Sequence, residues 1–352
     1  MPFPDTTGSR RAAAEWTALT SRVANPSNTI LSIAAVAAVY YATARLGQLI
    51  AIPPGNVTAV WFPAGVALVS LLLFGSRVWP GIWLGALVAT VWPFFDSATA
   101  GTISRSWIVG ASVATGATFQ AIAGAYFVTR RIDSDGPCGR GRNVFKFAFL
   151  AGAVSCVISA TVGVTSLSLG GFLEWGHFGL TWLTWWLGDT TGVIVIGLLA
   201  LSWCLGPPRR LWNRSRNAEL LALFALIIVV AHLAFSRSVQ DIHWKYMYAY
   251  ATIALLVWPA VRFGKRETIT AAFVMSLVAI WEYTQCMHEP GQGPAMVLSL
   301  QGFVGIATVT SMSLAANTTH RRQVARSLVK YKAASLQTAD HWMITDLNGV
   351  IL

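Results

Sequence analysis

The sequence predicts an all-α polytopic membrane protein, a bundle of about ten transmembrane helices with both termini in the cytoplasm. Three observations support this fold class. Of the 352 residues, 55% are hydrophobic and only 11% are charged, whereas average soluble domains carry about 25% charged residues. Apolar runs near the length of about 20 residues that a membrane span needs recur along the chain. Lys and Arg residues are concentrated in alternate loops. The composition excludes a cytosolic enzyme, a secreted disulfide scaffold and a disordered tail.

The chain divides into a polar start, a long apolar region and a polar end. Residues 1–29 are polar for too long to form a signal peptide and predict a cytoplasmic N-terminal segment. Residues 30–317 predict the transmembrane domain, in which the spacing of Gly81 and Gly85 indicates close helix packing inside the bundle. The two runs that flank Gly75–Arg77 can also be interpreted as one re-entrant hairpin. The ten apolar runs lie near 30–50, 57–74, 78–95, 107–128, 145–166, 180–203, 218–236, 245–261, 268–287 and 296–317.

The basic residues determine the predicted topology. With the N-terminus inside, the predicted cytoplasmic segments hold 21 of the 25 Lys and Arg residues, as the positive-inside rule requires. A miscounted span would invert every later loop and destroy this separation. The net charge of +11 is therefore a topology signal that also favours contact with anionic lipid headgroups. Because the charges are dispersed over short loops, we expect no nucleic-acid partner.

The polar C-terminal region predicts a signalling helix and the start of another domain. Residues 318–338 carry Val324, Leu328, Tyr331 and Ser335 at a spacing of about 3.5 residues. This repeat predicts a cytoplasmic helix that pairs with a second copy, so we expect a homodimer. Residues 339–352 contain two short β-type runs around an Asn-Gly turn, and we expect the rest of that domain to follow in a longer protein.

Ionisable residues inside the spans are the first candidates for function, because each costs about 2.5–3.5 kcal/mol to insert into a bilayer. Arg45, Asp189 and Glu282 lie in the first, sixth and ninth apolar runs, all about 7–13 Å below the outer end at 1.5 Å per residue. Their matching depth suggests that Arg45 pairs with Asp189 or with Glu282. Alternatively, Arg45 extends to the outer surface along its apolar stem.

Aromatic side chains accompany these ionisable residues and predict a ligand-binding recess. Trp185 and Trp186 precede Asp189 by four and three residues, which places all three on one side of a helix. An aromatic, carboxylate-lined recess that opens outward would suit a small cation, a sugar or an aromatic compound. The competing interpretation is an interfacial tryptophan belt. The residues that we expect to line the recess are Arg45, Trp61, Pro63, Trp185, Trp186, Asp189, Glu282 and Tyr283.

The sequence contains no known catalytic, metal-ligand or cofactor motif. A sensory domain therefore competes with a multi-span transporter or channel for a small polar solute, which would also carry polar residues within its spans. A membrane-embedded enzyme would need a paired acid and base or a metal set in the spans. We predict no enzymatic activity in this chain and no cofactor.

Four sequence elements occur in order along the chain. They are a Trp-x-Pro-x-Gly turn followed by Gly-x-Arg-x-Trp-Pro-Gly and a Gly-containing span, then Trp-Trp-x-Gly-Asp-x-x-Gly, Pro-x-x-Arg-Phe-Gly and Gly-x-Gly-Pro. Their residues are Trp61, Pro63, Gly65, Gly75, Arg77, Trp79, Pro80, Gly81, Gly85, Trp185, Trp186, Gly188, Asp189, Gly192, Pro259, Arg262, Phe263, Gly264, Gly291, Gly293 and Pro294. Over about residues 30–320, these elements resemble the membrane-associated sensor domain, group one (a MASE-type domain), of bacterial signalling proteins. The sixth run departs from the family pattern, because it ends at Gly197-Leu198-Leu199 without the expected Pro.

The resemblance implies a sensory input module in the bacterial inner membrane. It adds Gln301, which follows the last element, to the expected ligand-binding residues. The residues from about Ala339 resemble the first strands of a PAS domain. Members of the family place this membrane module before PAS repeats and a diguanylate cyclase, phosphodiesterase or histidine kinase output domain, so the resemblance implies the same arrangement here. It does not identify the signal.

Overall fold

The computed structural model describes residues 29–49, 58–95, 98–205, 214–237, 239, 241–286 and 294–337. These residues form ten helices and no strand, so the predicted all-α membrane fold is confirmed. The predicted β-type segment 339–352 lies outside the described residues. The helices are α1 (Thr29–Gln48), α2 (Phe62–Phe74), α3 (Trp79–Val91), α4 (Ala100–Arg131), α5 (Gly141–Leu169), α6 (Trp175–Leu205), α7 (Arg214–Phe235), α8 (Ile242–Arg262), α9 (Lys265–Cys286) and α10 (Pro294–Gln337).

Six helices of the described residues, α1, α4, α5, α6, α7 and α10, are both long and apolar enough to cross a membrane. Helices α2 and α3 have 13 residues each, about 20 Å at 1.5 Å per residue, which is shorter than the hydrocarbon core of about 30 Å. Helices α8 and α9 have 21 and 22 residues but are less apolar. The number of ten spans therefore stays a prediction, as does the re-entrant alternative for α2 and α3.

Local sequence signals explain the ends of the short helices. Helix α2 has Pro63 in its first turn, where the missing N–H costs no hydrogen bond. It stops at Gly75, whose φ of 78° is readily accessible only to glycine. A single 3₁₀ turn, Ser76–Val78, then reverses the chain into α3. The longer helix α4 begins with a capping box, in which the Thr102 N–H donates to the Thr99 hydroxyl oxygen and the Thr99 N–H donates to the Thr102 hydroxyl oxygen.

Small residues bring α1 and α3 into close contact. A Cβ atom at Gly85 would lie 2.8 Å from the Ala37 carbonyl oxygen, and one at Gly81 would overlap the Ile33 carbonyl. The sequence prediction that these glycines serve helix packing within the bundle is therefore confirmed.

The helices form two packed groups, with α10 in contact with both. Helices α1 to α6 surround cores that include Leu68 and Phe147. Helices α7, α8 and α9 share a separate core with Ile227, Leu256 and Met275. Helix α10 packs against α8 and α9 and also against α5 and α6. Helix α9 also contacts α6, so α9 and α10 are both elements through which a change in one group can reach the other.

Helices α5 and α6 each contain a π-helical segment, and the two segments contact each other. The segments are Phe147–Val154 and Val193–Gly197. Such segments are rare and occur frequently at functional sites. The second begins four residues after Asp189, so the only carboxylate of α6 lies about one turn before an irregular stretch of the helix.

A buried carboxylate in a pocket between six helices

A pocket lies at the end of the bundle where α1 ends and α2 begins. It is open to the outside and has a cavity volume of about 70 Å³. Helices α1 to α6 and the segments before α2 and after α3 all contribute to its wall. The lining residues are Tyr40, Gln48, Thr58, Trp61, Ala64, Ala67, Thr90, Pro93, Val113, Ala117, Gln120, Ser159, Trp185, Gly188 and Asp189.

Asp189 is the only charged side chain in that lining, as far as the described part of the chain shows. It is 2% exposed. Ser159 and Trp185 are its polar neighbours in the pocket wall. Both are neutral, so no charged group of the described lining is paired with the carboxylate.

Three aromatic side chains surround the carboxylate. Trp185 precedes Asp189 by one helical turn and packs closely on Gly163 of α5, where a Cβ atom would lie 2.9 Å from the indole ring. Tyr40 of α1 is buried, and it lines the pocket together with Trp61. Two of the three, Trp61 and Trp185, were predicted from the sequence.

Two glycines of α6 allow the chain before α2 to approach the helix backbone. The Trp61 N–H donates to the Gly188 carbonyl oxygen at 2.9 Å. A Cβ atom at Gly188 would lie 2.9 Å from the Thr58 carbonyl oxygen, and one at Gly192 would overlap the Trp61 carbonyl. The glycines that flank Asp189 in the Gly-Asp-x-x-Gly element therefore hold the segment Thr58–Trp61 against α6, beside the carboxylate.

Neutral polar side chains complete the wall. Gln48 donates from Nε2 to the Ala89 carbonyl oxygen at 2.7 Å, which ties the end of α1 to α3. Gln120 donates from Nε2 to the Cys156 sulfur at 3.2 Å. The Thr58 hydroxyl is buried and has no hydrogen-bond partner among the described residues.

Arg45 does not form either of the ion pairs that the sequence suggested. Its Nη1 donates to Gln48 Oε1 at 2.9 Å. It lines a shallow recess with Gln48, Leu49 and Pro93, beside the mouth of the pocket. The pairing prediction is wrong for the described residues. Two residues at equal depth on different helices need not be neighbours, and Arg45 of α1 lies at the rim of the pocket.

Glu282 and Tyr283 lie outside the pocket lining. Glu282 Oε1 is 2.8 Å from His232 Nδ1, so its partner is a histidine of α7 rather than Arg45. Tyr283 is 2% exposed and belongs to a core cluster that also holds Val60. The structure therefore places these two residues between α9 and its neighbours and not with Asp189.

Three further residues expected at the recess lie behind its wall. Trp186 is rotated about 100° from Trp185 along the helix, stacks on Trp182 and donates from its indole N–H to the Ala153 carbonyl oxygen at 2.7 Å. Pro63 is buried in the first turn of α2. Gln301 of α10 is fully buried and contacts the backbone of the wall rather than the cavity.

The sequence analysis missed several residues of the lining. They are uncharged, and a search for ionisable or tryptophan residues passes over them. Glutamine within an apolar span is the signal that could have found two of them, because an amide also loses hydrogen bonds in a bilayer. The missed polar or aromatic residues are Tyr40, Gln48, Thr58, Thr90, Gln120 and Ser159.

The described residues contain no group of three or more His, Cys, Asp and Glu side chains that could hold a metal ion.

Searches of the curated proteins and of the solved structures found no match for this chain. The MASE1 family model matches residues 31–322, which include the whole pocket and about four fifths of the sequence. MASE1 is a membrane sensory domain of signalling proteins, and this chain belongs to that family.

Proposed function

We propose that the chain detects a small molecule in the pocket around Asp189 and relays the signal through α10 to cytoplasmic PAS and output domains. The observation that carries this proposal is a buried carboxylate in a cavity whose wall is bonded directly to the helix that continues beyond the bundle. The output would be a diguanylate cyclase, phosphodiesterase or histidine kinase, as the family resemblance implies.

The contact between the pocket and α10 is made by Gln301. Its Nε2 donates to the Thr58 carbonyl oxygen at 3.2 Å and to the Thr184 carbonyl oxygen at 3.0 Å. Thr58 lines the pocket, and Thr184 belongs to the turn of α6 before Trp185. A ligand that moves the Thr58 segment or α6 would therefore displace a side chain of α10.

The continuity of α10 supports the transmission of such a displacement. The helix runs without interruption from Pro294 to Gln337, so Gln301 and the C-terminal end of the helix are about 54 Å apart at 1.5 Å per residue. A rigid helix can transfer a shift or rotation over that distance, provided that the ligand binds one of two bundle states more tightly.

Three contacts hold α10 where it leaves the bundle. The Gly141 N–H donates to Asn317 Oδ1 at 2.9 Å, and the Thr318 hydroxyl donates to the Ala260 carbonyl oxygen at 2.8 Å. Arg322 donates to the Val261 carbonyl oxygen. These bonds join α10 to the start of α5 and to the end of α8, so a movement of α10 would have to break or carry them.

The proposed orientation places the pocket on the outer side of the bacterial inner membrane and both termini in the cytoplasm. The pocket lies at the end of the bundle that holds Arg45 and Lys245, whereas the basic residues around α4–α5, α8–α9 and the exit of α10 lie at the other end. The positive-inside rule supports this orientation. We also propose that residues 318–337 of α10 pair with a second copy.

Substitution of Asp189 by asparagine in the full-length signalling protein tests the proposal. The change keeps the size of the side chain and removes its charge, so we expect an altered output at unchanged membrane levels. Glu282→Gln is the matched control, because it removes the other predicted intramembrane carboxylate, which lies outside the pocket. Equal outputs for wild type and Asp189→Asn would exclude the pocket as the sensory site. Solute flux in proteoliposomes would instead support the transporter alternative.

A further inference from the structure

The electrostatics of the pocket define the kind of ligand, and this inference rests on the proposed function and deepens it. Asp189 is 2% exposed, and no basic side chain belongs to the described lining. A buried charge without a countercharge is costly, because neutral hydrogen bonds recover only part of its lost hydration. A cationic ligand would supply the missing charge.

The nearest basic residue at the mouth is directed elsewhere. Arg45 donates to Gln48, and Gln48 is in turn held by the Ala89 carbonyl. Arg45 lines the adjoining recess and not the pocket. The positive charge of the rim is therefore fixed outside the cavity, and Asp189 has no basic partner in the described lining.

The rest of the wall suits the body of an organic cation. The rings of Tyr40, Trp61 and Trp185 line the same space as Asp189, and aromatic faces attract cations within about 6 Å of the ring centre. Thr58 is 3% exposed, and its buried hydroxyl has no partner in the described part of the chain. A buried hydroxyl without a partner costs about 1–3 kcal/mol, and a ligand atom in the cavity can supply the missing hydrogen bond.

We propose that the pocket binds a small organic ammonium ion with an apolar or aromatic body. The ammonium group contacts the Asp189 carboxylate, and the body lies against Tyr40, Trp61 and Trp185. Thr58 provides an additional hydrogen bond to the ligand.

Three probes of similar size and different charge test this ligand class on the purified full chain. They are phenethylammonium, the neutral 2-phenylethanol and the anionic phenylacetate, each titrated by calorimetry into the detergent-solubilised protein. We expect phenethylammonium to bind at least about tenfold more tightly than 2-phenylethanol, from the charge and cation–π contributions in a desolvated site. Phenylacetate should bind most weakly. Equal affinity for the ammonium ion and the alcohol, or preference for the anion, would overturn the proposal.

Two carboxylate variants assign the charge preference to one residue. Asp189→Asn should lose most of the preference for the ammonium ion, because it keeps the cavity and its aromatic faces but loses the charge. Its retained affinity for the alcohol would show that the pocket is folded. Glu282→Gln should keep the wild-type preference. A tenfold preference that survives in Asp189→Asn would contradict the proposal.

A third variant covers the case in which Asp189→Asn does not fold. Trp185→Leu keeps an apolar wall and removes one aromatic face, so the affinity for phenethylammonium should fall several-fold more than that for 2-phenylethanol. Equal losses for the two probes would contradict the aromatic part of the site.

The signalling assay remains a separate test. An altered output in Asp189→Asn without ammonium binding would refute the ligand class alone. Ammonium binding with an unchanged output would refute the sensory role of the pocket.

Discussion

Replacement of Gly192 by alanine tests whether close backbone packing builds the pocket wall. An added Cβ atom would overlap the Trp61 carbonyl, so the segment before α2 has to move away from α6. Helix propensity favours alanine by up to about 1 kcal/mol, but overpacking costs about 1–3 kcal/mol. The shift also weakens the 2.9 Å hydrogen bond from the Trp61 N–H to the Gly188 carbonyl, which contributes about 1 kcal/mol. We expect a net loss of about 1–3 kcal/mol in the free energy of unfolding.

The matched control is Gly302→Ala in α10, where no atom lies within 4 Å of the added Cβ atom. This variant gains the same helix propensity without an overlap and should be as stable as wild type or more stable. Thermal unfolding in detergent, followed by tryptophan fluorescence, measures both changes. Affinity for phenethylammonium should fall in Gly192→Ala and stay unchanged in Gly302→Ala. Equal melting temperatures for the two variants would refute the packing argument.

Two further predictions concern the coupling and the loop between α4 and α5. Gln301→Met removes the hydrogen bonds to the Thr58 and Thr184 carbonyls and should reduce the output response several-fold, while phenethylammonium binding to the purified chain changes less than about threefold. Equal losses of response and binding would indicate a structural role. Arg142 and Lys146 lower the pKa of Asp133 below its usual 3.8, so its ion pairs stabilise the fold above that pH and are lost as the pH falls through the lowered pKa. Wild type should therefore have a higher melting temperature than Asp133→Asn at pH 7, and this difference in melting temperature should shrink below pH 3.8. A difference that stays constant with pH would contradict this explanation.

The predicted fold and the observed fold agree because both follow from local properties of the chain. Apolar runs of helical length form helices in a bilayer, where every backbone polar group must be satisfied internally. The ten predicted runs correspond to the ten helices, although α4 starts at Ala100 rather than near 107 and α10 extends to Gln337. The predicted β-type end and several loops lie outside the described residues.

The site was only partly predictable, and the reasons differ between residues. Asp189 and Trp185 could be found because a carboxylate inside a span is costly and a tryptophan one turn away shares its side of the helix. Trp186 could not be separated from Trp185 by spacing alone, since both satisfy the helical repeat while only Trp185 lines the pocket. Glu282 shared the depth and charge of Asp189, but its partner is His232 of a neighbouring helix.

The sequence alone determined the membrane class, the positions of the helices and the one charged residue of the pocket. Each of these depends on hydropathy, helical periodicity or the cost of a buried charge, which are properties of a short stretch of chain. Only the tertiary structure decided that Arg45 bonds to Gln48, that Gly188 and Gly192 admit the backbone before α2, and that Gln301 connects this wall to α10. These contacts join residues up to 243 positions apart, and which helices become neighbours depends on how side chains of the whole bundle pack.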